Sequence, residues 1–100
     1  MRYNKLVRDF IPRIIEAKGE TCTYHIADDK EYRQKLLEKL QEELDEFIEH
    51  SSIEELADLQ QVIFAVLDER GWSRDDFLKS RLSKLRERGS FSQHLILDEA

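Results

Sequence analysis

Glu43 and Glu46 stand three residues apart, and so do Glu55 and Asp58. On a helix that spacing puts both members of a pair on one face. Between the pairs lies His50-Ser51-Ser52, a segment suited to a turn. The pairs are symmetric about it, so an antiparallel helical hairpin would set Glu43 level with Asp58 and Glu46 level with Glu55. At a rise of about 1.5 Å per residue, all four side chains fall within roughly one helical turn of height. Oxygen donors without His or Cys suit a hard cation. Mg²⁺ fits best, because carboxylates, waters and substrate phosphates hold it together; Mn²⁺ could substitute.

Angular position sharpens the expectation. Glu55 projects inside the arc of Leu59, Val62, Ile63 and Val66, and Glu43 just beside that of Leu36, Leu40, Leu44 and Phe47. Glu46 and Asp58 lie one step further out. A carboxylate on an apolar face is costly unless it is paired or bound to a cation. The plain alternative is a solvated acidic face, and Ser52 with Glu55 also matches a helix-capping box, as does Ser51 with Glu54. A second register, Glu42 with Asp45, points away from the apolar stripe. A di-iron site of the ferritin type would want His three residues after a Glu, and His25, His50 and His94 are all misplaced for it.

Four helices must carry these groups. Asp9 can cap the first, with Pro12 in its first turn and Ile11, Ile14 and Ile15 on its apolar face; Gly19 stops it. Asp28 with Glu31 opens a second, whose Leu37, Leu40, Leu44, Phe47 and Ile48 repeat at helical spacing. Ser51 or Ser52 caps a third, with a stripe from Leu56 to Leu67, and Gly71 ends it. Ser73 with Asp76 opens a fourth, which stops at Gly89. Residues 20–27 and 91–97 alternate in strand fashion, and they could pair as a small ribbon under helix cover.

The bulk numbers fit one domain spanning residues 1–100. Apolar residues at 40% are too many for a disordered chain, and charged residues at 38% suit long helices with wet faces. A net charge of −6 argues against nonspecific nucleic-acid binding, although a divalent cation can still draw in an anionic substrate. Cys22 is the single cysteine, so no internal disulfide or cysteine zinc cluster forms. No apolar run is long enough to span a membrane, and Met1 to Asp9 lacks the core of a signal peptide, so a cytoplasmic location is expected.

The run Glu42-Glu43-Leu44-Asp45-Glu46 followed by Glu55-Leu56-Ala57-Asp58 resembles the EExxE…ExxD signature of the all-α nucleotide pyrophosphohydrolases, the superfamily of MazG, dimeric dUTPases and phosphoribosyl-ATP pyrophosphohydrolase. Tyr3 to Asp9 with Ile11-Pro12 resembles the opening YNKLVRDKIP of small MazG-like "house-cleaning" proteins, and Arg86 to Phe91 resembles their closing RExRGGF. The likeness spans nearly the whole chain. Phe10 replaces a usual Lys and Ser90 a usual Gly, departures that bear on substrate choice more than on the reaction.

The resemblance implies a four-helix MazG-like bundle, all-α apart from the small two-stranded β ribbon read above. It implies Mg²⁺-dependent hydrolysis of a nucleoside triphosphate to a monophosphate and pyrophosphate, with noncanonical nucleotides as the expected substrates. Glu43, Glu46, Glu55 and Asp58 map onto the metal ligands, and Glu42 onto the first Glu of the signature, to orient water or support a ligand. Lys5, Arg8, Lys84 and Arg88 fall in the end motifs and are the candidates for phosphate contact, with Arg13 behind them and Asn4 as a base or sugar contact. The alternatives are a phosphoribosyl-ATP pyrophosphohydrolase or dUTPase-like enzyme, or a noncatalytic helical nucleotide-binding module, with which Phe10 is the most compatible feature. Phe64 and Ala57 lie off the main stripe of the third helix, which predicts a homodimer or higher homo-oligomer. Trp72 and Phe91 read as packing residues.

Overall fold

Capping chemistry divides the chain into helices. The computed structural model describes residues 3–100 and contains, among them, four helices: α1 (Ile11–Ala17), α2 (Asp29–His50), α3 (Ile53–Arg70) and α4 (Arg74–Arg88). The Asp28 carboxylate accepts the Glu31 N–H at 2.8 Å and opens α2. Only half of the expected capping box forms there, because the Glu31 carboxylate turns to His25 Nε2, 2.8 Å away. Ser52, not Ser51, caps α3 and accepts the Glu55 N–H. Ser73 accepts the Asp76 N–H and opens α4. Gly71 ends α3 in the left-handed region, at φ 72°, where a side chain would be strained. The start of α1 departs from expectation. Phe10, not Asp9, occupies its cap position and offers no side-chain acceptor.

The two-residue connection Ser51-Ser52 folds α2 and α3 back on each other, and this hairpin is where the helices pack. Leu36, Val62 and Leu67 form its buried centre, flanked by half-buried Leu40, Phe47, Leu59, Ile63 and Val66. The α2 stripe is split. Leu37, Leu44 and Ile48, expected on the packed face, are exposed, while Glu43 takes a buried place instead. Residues 6–11 and Ile14 face the hairpin across a cleft, and Lys5 and Arg8 reach it by ion pairs.

The expected ribbon is absent. Residues 20–27 and 91–97 do not form a ribbon; neither segment is a strand. Alternation signals a face that could be buried, but only Cys22 and Ala27 are even half-buried in these segments, and a two-stranded ribbon without helix cover is marginal in water. Phe91, read as a packing residue, is 98% exposed. Phe64 is half-buried, with the Arg74 guanidinium 4.2 Å from its ring centre, and Ala57 is exposed. No residue of α4 is buried.

Candidate metal centre

The hairpin delivers three of the four carboxylates to one place. One oxygen each from Glu43, Glu55 and Asp58 lies within 4.8 Å of the others. Glu43 comes from the middle of α2, while Glu55 and Asp58 come from the first turns of α3, as the symmetry about Ser51-Ser52 requires. Glu55 stands in the first turn because Ser52 holds its N–H, which leaves the carboxylate itself free to face the cluster. Glu46 is outside the trio. Its carboxylate leans toward His50 Nε2, 3.6 Å away and one turn on.

The trio is crowded with negative charge. Slight desolvation, then the charges of Glu46, Asp58 and Glu43, raise the pKa of Glu55 above the ordinary glutamate value, against an opposing effect of His50. Three carboxylate oxygens gathered within 4.8 Å of one another are close enough to share one small cation. Its all-oxygen donor set fits a hard cation.

Positive groups already line the cluster. Arg8 donates to Asp58 at 2.7 Å, and Lys5 donates to Glu42 at 3.1 Å. Lys39 Nζ lies 3.3 Å from Glu42 and 3.3 Å from Glu43. Burial alone would raise the pKa of Glu42, but the ammonium groups of Lys5 and Lys39 together outweigh it and hold the carboxyl below the ordinary range. Asn4 takes part through its backbone carbonyl, which accepts Lys35 Nζ at 2.9 Å.

A cleft of about 480 Å³ opens beside Glu43 and Asp58. Its floor is apolar, with Leu36, Val62 and Ala65 from the hairpin and Ile11 and Ile14 from α1; Tyr32 and Gln61 add polar edges. The separate depression beside Arg13 and Tyr24 holds none of the trio. No known protein family, curated protein or solved structure matches the chain. The geometry of the site therefore stands by itself.

Of the expected phosphate contacts, the structure brings Lys5 and Arg8 to the carboxylates. Lys84 and Arg88 lie on exposed α4 and make no ion pair among the described residues. Lys39 was not foreseen. Its signal was present in the sequence, three residues before Glu42 and four before Glu43, the spacing at which helix ion pairs form. The cleft residues Tyr32 and Gln61 carried no such signal, because α1 and the preceding segment place the opposite wall.

Proposed function

We propose that the chain is a Mg²⁺-dependent nucleoside triphosphate pyrophosphohydrolase of the MazG-like class, acting on noncanonical nucleotides. The observation that carries this reading is the meeting of Glu43, Glu55 and Asp58, from two helices, at the edge of a cleft of about 480 Å³. That volume lies in the range of small-molecule sites, roughly 300–1,000 Å³. An apolar floor beside a cation site suits a base and sugar at one end and phosphates at the other. The signature resemblance over the same residues supports the reading independently of the geometry.

In this reading Glu43, Glu55 and Asp58 hold the cation. When bound, Mg²⁺ polarises the phosphate and makes a water more acidic. Arg8 and Lys5 offset phosphate charge. In the reaction a water oxygen bonds to phosphorus as the anhydride bond between the α- and β-phosphates breaks. A carboxylate not used as a ligand takes the water's proton; Glu46, whose charge acts on Glu55 and whose one ion-pair partner among the described residues is His50, is the candidate. Glu42, tied to two ammonium groups, is the poorer base.

Release of pyrophosphate from a panel of nucleoside triphosphates with Mg²⁺ tests the proposal, and the same panel separates a dUTPase or a phosphoribosyl-ATP enzyme. No turnover of any substrate, or full turnover by Glu55→Gln, would sink it.

A homo-oligomer belongs to the same proposal. Phe77, Leu78, Leu82 and Leu85 on α4, with Leu37, Leu44 and Ile48 on α2, are apolar and exposed. The α4 helix carries six basic residues against three acidic ones in a chain of net charge −6. A second copy can cover the apolar faces while its acidic hairpin receives α4, which is how Lys84 and Arg88 would reach a site.

A further inference from the structure

The strongest feature left unused by that reading is Lys39. Its side chain is only 16% exposed and its ammonium bridges Glu42 and Glu43, at 3.3 Å from each. Neighbouring Lys35 on the same helix face is held by the Asn4 carbonyl and Glu38 and does not line the cleft. Lys39 does line it, together with Glu43, Asp58 and Arg8. It therefore stands where phosphates must pass if the carboxylates hold a cation.

We infer that Lys39 is a phosphate-binding residue of the cleft, and that its ammonium exchanges the Glu43 carboxylate for a phosphate oxygen when a cation enters. The inference rests on the cation reading above. With Glu43 holding a divalent ion, one of the two contacts of Lys39 would weaken. Glu42 keeps Lys5 as a second partner and cannot compensate Lys39 in full. A mostly enclosed ammonium with half its compensation lost needs another anion. A metal-bound polyphosphate supplies it within the same cleft. Arg8 faces the same exchange at Asp58, so cation entry releases positive charge on both sides of the trio.

This role gives opposite signs in two binding measurements. Calorimetry with Mg²⁺ alone, then with inorganic tripolyphosphate at saturating Mg²⁺, reads them without depending on the base. Lys39→Met keeps the aliphatic stem and removes the charge. It should bind Mg²⁺ at least as tightly as the unaltered chain, because a competitor for Glu43 is gone. It should bind tripolyphosphate roughly tenfold or more weakly, the scale of a charged hydrogen bond. Lys39→Arg should recover most of that loss. A parallel fall in both affinities would make Lys39 a mere brace for the carboxylates and overturn the inference. Unchanged tripolyphosphate affinity would also overturn it. Failure of the unaltered chain to bind Mg²⁺ would remove the cation site itself, and this role with it, a result distinct from either.

Discussion

Glu55 and Glu42 lie on the same hairpin and respond to pH with opposite signs. Glu55 has a raised pKa, from slight desolvation and then the charges of Glu46, Asp58 and Glu43. The folded chain holds that proton more tightly than the unfolded one, so Glu55 favours folding as pH falls through its raised value and opposes it above. Glu42 has a lowered pKa, since Lys5 and Lys39 outweigh its partial burial. Its stabilisation is present above the unfolded value and is lost as pH falls through the folded one. Metal-free thermal melts should therefore differ between the unaltered chain and Glu55→Gln. The variant should be the more stable at neutral pH, and the gap should close as pH falls through the raised value and below the ordinary glutamate one. Added Mg²⁺ should raise the melting temperature of the unaltered chain more than that of the variant. In turnover, Glu55→Gln should cost at least the ~100-fold at the upper end for supporting partners of metal sites.

At the scale of elements, Ser52 carries the geometry of the trio. It fixes the first turn of α3, from which Glu55 projects. Ser52→Ala should lower stability by about 1 kcal/mol in denaturant unfolding, and should weaken Mg²⁺ binding as the first turn frays. The helices were legible in the sequence because Asp28, Ser52, Ser73, Gly71 and Gly89 state their ends chemically. The pairing of Glu43 with Asp58 was legible because a two-residue turn leaves an antiparallel hairpin little freedom. Glu46 stands apart from the trio because symmetry fixes height along a helix and not side-chain direction, and its carboxylate leans to His50. The ribbon was misread because residues 20–27 and 91–97 show alternation without a partner surface. Lys39 was missed because its contact with Glu43 is local, whereas its place in the cleft depends on α1 and the preceding segment.

The molecule as a whole is extended for its length. Its radius of gyration is 17.7 Å, against about 13 Å for a compact domain of this size. Much of the excess follows from α4, none of whose residues is buried. A lone chain with so small a centre has little to hold α4 in place. Light scattering at micromolar concentration should give a multiple of the 12.0 kDa chain mass. Leu78→Glu with Leu82→Glu should reduce it to the monomer and lower turnover with it. A monomer in the unaltered chain would contradict the assembly while leaving the carboxylate trio untouched. No described helix is long and apolar enough to cross a membrane.

The ion pair between Arg8 and Asp58 joins positions fifty residues apart, and it fastens the stretch ahead of α1 to the start of α3. An ion that claims Asp58 would release that tie, leaving Lys5 on Glu42 and the Asn4 carbonyl on Lys35. Trypsin should then cut faster after Arg8 when Mg²⁺ is added, and slowly again once tripolyphosphate gives the guanidinium a new anchor. The front of the chain would thus report, through its own susceptibility to a protease, what the carboxylates are holding.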